Sequence, residues 1–269
     1  MPLIDANGLR LYCEVQGDGE PLLMVMGLGA DHLAWALQVP ALSEHFKVIT
    51  FDNRDCGQSS YVDHPYEITD MAADTIALAD GLGLDSFHLV GASMGGAIAQ
   101  EVALGWPDRV RTLTLAITFG GGGAWGRKMG RMLAADVVRR TYEENVDHLM
   151  LLCFSEQLFD ETERITFLRQ QMLANPYPQR PQGFARQAEA SGRHEARERL
   201  GSLGMPVHVI GAEHDILVPA WKSRELAELI PGAKLTVIPR SPHGANLERA
   251  QEFNALVLDF IKEKAAAAV

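Results

Sequence analysis

The sequence predicts an α/β protein: a mostly parallel central sheet flanked by helices, with an inserted helical lid. Three observations predict it. Short apolar runs bounded by turn residues recur along the chain, helical patterns alternate with them, and one long stretch carries helical patterns without any strand.

The elements follow in order. Residues 9–15 (LRLYCEV) mix polar with apolar positions and precede Gly17-Asp18-Gly19, which reads as an antiparallel edge strand of a hairpin. Runs at 22–26, 47–51, 86–90, 110–117, 206–210 and 234–239 are apolar on both faces, as expected of parallel strands covered from both sides. Helical patterns at 69–82, 93–105, 219–230 and 249–263 lie between or after these runs, so a mostly parallel sheet covered by helices on both faces is expected. From 119 to 204 the pattern is helical only, at 127–140, 142–154, 160–174 and 183–200. Core segments are therefore expected at 1–118 and 205–269, with 119–204 as the lid. Asn175-Pro176-Tyr177-Pro178 and Pro181 interrupt that lid, because proline cannot continue a helix interior. The terminal AAAAV is expected to fray.

Composition excludes several function classes. The chain has 269 residues, with 24 Lys+Arg against 35 Asp+Glu and a net charge of −11, which argues against nucleic acid or an anionic membrane as partner. The lid is nearly neutral, holding 11 of the 18 arginines and one lysine against 11 acids, so the acidity belongs to the core. That weakly favours a neutral or mildly polar small molecule as substrate. Cys13, Cys56 and Cys153 are too few and too scattered for a disulfide framework or a zinc site. The start of the sequence lacks the basic and apolar regions of a signal peptide, and no apolar run is long enough to span a bilayer, so a cytoplasmic location is expected. Oligomeric state stays open, a homodimer among the options.

The chemistry-bearing motif is Gly91-Ala92-Ser93-Met94-Gly95, which joins an expected strand directly to an expected helix. Such a reversal strains the middle residue, and glycines two positions either side remove side chains that would clash. Ser93 is then lifted above the sheet edge at a helix N-terminus, where a nucleophile is wanted. A serine needs a base, and the base needs an orienting acid. Ligands of open α/β sheets bind at the carboxyl edge, so the loops after 206–210 and 234–239 are the places to look. The first contains Glu213, His214 and Asp215; the second contains His243-Gly244. His243 alone among the nine histidines follows the last strand. Asp215 is the favoured acid and Glu213 its rival.

These motifs, together with Asp52-Asn53-Arg54-Asp55-Cys56-Gly57-Gln58-Ser59, resemble the α/β-hydrolase fold superfamily over nearly the whole chain apart from the lid. Asp55 stands where the family's D-x-R-G-x-G-x-S turn has glycine. The resemblance implies an oxyanion hole made by the backbone amides of Met94 and Leu28, the latter in Met26-Gly27-Leu28-Gly29, where relatives usually have His-Gly. It implies a cofactor-free, metal-free serine hydrolase of carboxylic esters or lactones, acting through Ser93, Asp215 and His243. Carbon–carbon hydrolysis of ring-cleavage diketones and metal-free haloperoxidase or perhydrolase chemistry are the enzymatic alternatives, and a non-catalytic ligand receptor is the alternative of another class. Apolar material for the pocket is expected from Met129, Met150, Phe154 and Tyr177 in the lid, with Trp35 and Trp125, each after a Gly-rich segment, as further lining residues. Arg186 reads as part of a solvated helix face rather than a carboxylate ligand.

Overall fold

The protein is described by a computed structural model covering residues 3–267. Its strands are β1 (Leu3–Ala6), β2 (Leu9–Gln16), β3 (Pro21–Val25), β4 (Lys47–Phe51), β5 (Phe87–Ala92), β6 (Val110–Ala116), β7 (Val207–Ala212) and β8 (Lys234–Ile238). They form one eight-stranded sheet in the order β1-β2-β4-β3-β5-β6-β7-β8. Strands β3 to β8 run parallel, whereas β1 pairs β2 and β2 pairs β4 antiparallel.

The strand at 9–15 is antiparallel as expected, but it is not at the edge, because β1 lies outside it. The turn between them is Asn7-Gly8, with φ of 51° and 78°, which matches the twist of a two-residue hairpin. That Asn-Gly pair is the signal for β1 in the sequence.

Alternating residues of the parallel strands feed two apolar layers. Leu23, Val25, Ile49, Leu89, Leu113 and Val209 face the layer completed by α2 (Ile68–Gly81) and α3 (Met94–Gly105). Leu22, Met24, Val48, Val90 and Ile210 face the other, which holds Leu42 of the short α1 (Val39–Leu42) and Phe253, Val257 and Ile261 of the C-terminal helix. Both faces are covered, which is why these strands read as unbroken apolar runs.

Between β6 and β7 lie five helices rather than four: α4 (Gly123–Val137), α5 (Tyr142–Cys153), α6 (Glu156–Asp160), α7 (Thr162–Leu173) and α8 (Pro181–Arg193). Ser155 caps α6 by accepting from the Leu158 amide, a short-helix start that the apolar periodicity does not reveal. The last of the five stops at Arg193 instead of continuing to 200, and Ala196, Leu200 and Leu203 rejoin the main core. Val146, Met150, Phe154 and Leu158 form a small satellite core. The chain then passes through α9 (Ala220–Leu229) and α10 (Ala245–Glu248) to α11 (Ala250–Ala267). The run expected to fray continues α11 as far as Ala267, and its last two residues lie outside the described ones. Among the described residues no helix is long and apolar enough to cross a membrane.

Two histidines sit deep in this frame. Burial pushes His194, beside Glu101, and His208, in β7 against Phe260, down to about 4. Both are neutral in the native state at pH 7, while the unfolded chain binds protons near the ordinary histidine value of about 6.5. Stability therefore rises with pH between these limits: their contribution is intact above about 6.5 and lost as pH falls toward 4. Each histidine is expected to cost roughly 2–3 kcal/mol between pH 7 and pH 4.5. Urea unfolding should show the loss, and His208→Gln should flatten its pH slope; a slope identical in the variant and its parent would refute the assignment.

Candidate active site

The site begins with a backbone constraint. β5 ends at Ala92 and α3 begins at Met94, so the chain reverses through Ser93 alone, at φ 54° and ψ −122°. A β-carbon on Gly95 would run into the carbonyl oxygens of Val25 and Met26, and one on Gly91 into the Gly95 carbonyl. Only glycine allows strand and helix to come so close. Two bonds to the end of β6 hold the strained residue: the Ser93 amide donates to Ala116 O at 3.0 Å, and Thr118 Oγ1 donates to Ser93 O at 2.6 Å.

The structure brings together the three side chains singled out in the sequence. His243 Nε2 lies 3.0 Å from Ser93 Oγ, and His243 Nδ1 lies 2.7 Å from Asp215 Oδ2. The other Asp215 oxygen accepts from the amides of Leu217 and Val218, both at 2.8 Å. Those two bonds leave Oδ2 aimed at the imidazole. Asp215 and His243 are buried and Ser93 is half-buried. The rival acid, Glu213, turns away and accepts from the Arg240 backbone amide at 2.8 Å, which clips the β7 and β8 loops together. Cys153 lies close enough to Asp215 that burial and that carboxylate push its thiol up to about 12, so it stays protonated.

The proposed oxyanion donors adjoin the serine. The Met94 amide is the first N–H of α3, and such N-terminal amides have no partner within their own helix. Gly27 packs on it: a β-carbon there would stand 2.9 Å from Ser93 Cβ and 3.4 Å from Met94 N. Leu28 follows directly, half-buried. The loop that carries Met26 and Leu28 is held by the turn after β4. Asn53 Nδ2 donates to Met26 O at 2.9 Å, and Asp52 Oδ1 accepts from the His32 amide at 2.9 Å and lies 2.7 Å from His32 Nδ1. Burial pulls the His32 pKa down, but the carboxylates of Asp52, Asp31 and Glu14 outweigh it and raise the value.

Asp31, His32 and Asp52 place donor atoms within 4.8 Å of one another, a cluster that sequence spacing does not show. Its oxygens are already engaged. Asp52 Oδ2 accepts from the Gln58 amide at 2.9 Å, while Asp31 accepts from the Leu33 amide at 2.9 Å and from Asn175 Nδ2 at 2.7 Å. The cluster joins the loop after β3 to the turn after β4 and to the segment between α7 and α8.

The expected lining residues fare unevenly. Trp35 is fully buried and packs at 6.3 Å from the Phe253 ring in the core under α11, so it lines no pocket: its short helical turn points it inward. Trp125 and Tyr177 are exposed, at 60% and 49%, and Met129 is half-buried on α4. Met150 is committed to the satellite core. Phe154 belongs to that core too, yet its ring also abuts Gly244 next to His243. Phe184, one of the apolar residues that 119–204 offers by sequence, and Leu149, which the sequence does not single out, stand against the loop after β3. A β-carbon on Gly29 would meet Phe184 Cε2 at 3.0 Å and Leu149 Cδ2 at 3.9 Å. Arg186 is not on a solvated face: it binds a carboxylate of its own chain, Asp55.

Comparisons with known proteins agree with this frame. The chain is 29% identical to the Azorhizobium caulinodans protein named "Putative carbamate hydrolase RutD", over 98% of this chain and 99% of that one. It superposes on the enol-lactonase from Burkholderia xenovorans with a TM-score of 0.88, 27% identity and coverage of 97% and 100%. A thermophilic esterase from Thermogutta terrifontis superposes with a TM-score of 0.86, 26% identity and coverage of 98% and 97%. The sequence pattern of the alpha/beta hydrolase fold matches residues 20–250, and the chain belongs to that family.

Proposed function

We propose that this protein is a cofactor-free serine hydrolase that cleaves a carboxylic ester or lactone. The observation that carries the reading is the continuous relay from Ser93 Oγ through both nitrogens of His243 to an Asp215 carboxylate held by two backbone amides.

In that reading His243 Nε2 takes the Ser93 proton as Oγ attacks the carbonyl carbon. The negative charge that develops on the carbonyl oxygen is met by the Met94 and Leu28 amides, and each such preset donor is worth about 10²- to 10³-fold in turnover. The imidazolium is stabilised by Asp215, then protonates the leaving alkoxide, and an acyl-enzyme remains. His243 next draws a proton from water as the water attacks the acyl carbon, then returns that proton to Ser93 Oγ as the acyl–Oγ bond breaks and the acid leaves. The helices within 119–204 act as a lid in this scheme. Support comes from Phe184 and Leu149 against Gly29, from the Gly244 amide donating to Cys153 O at 2.6 Å, and from Ser155 bound to Glu248 of α10.

The similarity to the enol-lactonase and the esterase favours an ester or lactone. The relative named for carbamate hydrolysis points to a second reading, in which the same relay attacks a carbamate carbonyl and His243 protonates a nitrogen leaving group. Comparing kcat/KM for an ester and a carbamate of the same acyl size separates the two.

Ser93→Ala is expected to abolish p-nitrophenyl ester hydrolysis and labelling by a fluorophosphonate while the fold is kept. A folded variant that still turns over would sink the scheme, and inertness of the parent toward the label would favour a receptor. Asp215→Asn should keep the geometry but lose about 10³- to 10⁴-fold in kcat, because the wrong imidazole tautomer then faces Ser93. Since every group in the scheme belongs to the chain, dialysis against EDTA is expected to leave the rate unchanged; a rate restored only by added metal would overturn that part.

A further inference from the structure

Asp55 occupies a backbone position that suits glycine. Its φ is 63°, and its side chain is completely buried. A residue bearing a β-carbon is strained there, so the side chain must be held in place by what surrounds it. Its oxygens face the Arg186 guanidinium in a two-pronged contact, Nε at 2.7 Å and a terminal nitrogen at 3.0 Å, and Oδ1 also accepts from the Val62 amide at 2.8 Å. Burial and this same carboxylate raise the neighbouring Tyr66 phenol well above its ordinary value, which keeps it un-ionised beside the pair.

The contact does not stand alone. Gln187 Nε2 donates to Arg54 O at 2.7 Å, and Gln179 Nε2 donates to Asp55 O at 2.8 Å. Gly183 packs so tightly that a β-carbon on it would lie 2.6 Å from Asp55 O and 2.9 Å from the Tyr61 ring. The first turns of α8 are thus fastened to the turn after β4 at residues 183, 186 and 187. Phe184 sits inside that fastened segment, and its ring lies against Gly29 of the oxyanion loop. A planar, two-bond pair fixes orientation as well as distance, which a single hydrogen bond or a lysine would not do.

We propose that the Asp55–Arg186 pair is a positioning device: it sets the rotation of α8 so that Phe184 stands over the oxyanion loop and limits the acyl group the site accepts. The substrate half of this inference rests on the ester or lactone reading; the mechanical half does not. Neither residue touches the reacting atoms.

Asp55→Gly is the informative variant, because it relieves the backbone strain while deleting the pair, and so it should fold. Hydrogen exchange of the α8 amides, residues 182–193, is expected to speed up by about tenfold or more in Asp55→Gly, with the central strands unchanged. Across p-nitrophenyl acetate, butyrate, hexanoate and octanoate, the kcat/KM ratio between the best ester and the next longer one should shrink by about fivefold, through KM, since Ser93, Asp215 and His243 are untouched. Asp55→Gly/Arg186→Met should behave like Asp55→Gly alone. A folded Asp55→Gly protein with parental α8 exchange overturns the latch. Faster exchange with an unchanged chain-length profile overturns its role in selection. If the parent cleaves none of these esters, the proposed function fails instead, and α8 exchange decides the latch by itself.

Discussion

The site depends on one close approach of backbone to backbone. With Gly91 and Gly95 lacking side chains, β5 turns into α3 within a single residue, and α3 presses on the carbonyls at the end of β3. Three consequences follow from that one contact. Ser93 is forced into a conformation that raises its oxygen off the sheet, the first amide of α3 points into the same space, and the loop carrying Leu28 is drawn alongside it. The strain is of order 1–3 kcal/mol for such a residue, and it is balanced locally by the bonds from Ser93 N to Ala116 O and from Thr118 to Ser93 O. The placement of Ser93 is therefore a property of the sheet and the helix that follows it.

Among the described residues two histidines meet a carboxylate through Nδ1 at the same distance, and their surroundings differ. His243 and Asp215 meet at 2.7 Å, as do His32 and Asp52. The free nitrogen of His243 faces a serine hydroxyl, whereas His32 Nε2 faces the Glu14 carboxylate at 3.5 Å and its ring lies 4.9 Å from Tyr12. Ringed by three acids, His32 has its proton affinity raised, and a cation there stabilises the pair without any nucleophile to activate. The second pair fastens the loop after β3 to the end of β4. An imidazole beside a carboxylate is thus no evidence of catalysis until the other nitrogen is accounted for.

What could be read from the sequence follows from how each residue type meets its constraint. Ser93, Asp215 and His243 were legible because backbone geometry demands them at strand ends, and the apolar runs locate those ends. The parallel strands were legible because burial on both faces leaves them unbroken. Side-chain direction was not: Trp35 follows a Gly-rich segment near the site yet turns into the core, and Arg186 looks like a surface arginine until α8 is laid against the turn after β4. Such contacts join residues more than a hundred positions apart, and no local pattern encodes them. β1 escapes the pattern for a different reason: its Asn7-Gly8 signal is present, but the strand itself has only four residues, Leu3–Ala6, over which an alternation hardly shows.

The same distinction between backbone and side chain applies to Met26. In the proposed mechanism the loop contributes the Leu28 N–H, a backbone group, so the side chain at 26 matters there only through the loop's position. That position is set here by contacts from the neighbouring β4 turn: Asn53 to Met26 O, Asp52 to the His32 amide, and the Cys56 thiol at 3.4 Å from Ala30 O. Gly57, at φ 51°, brings that turn close enough that a β-carbon would collide with the Asp52 carboxylate. Because Asp55 of the same turn grips α8, the loop after β3 and α8 are both fastened to the turn after β4.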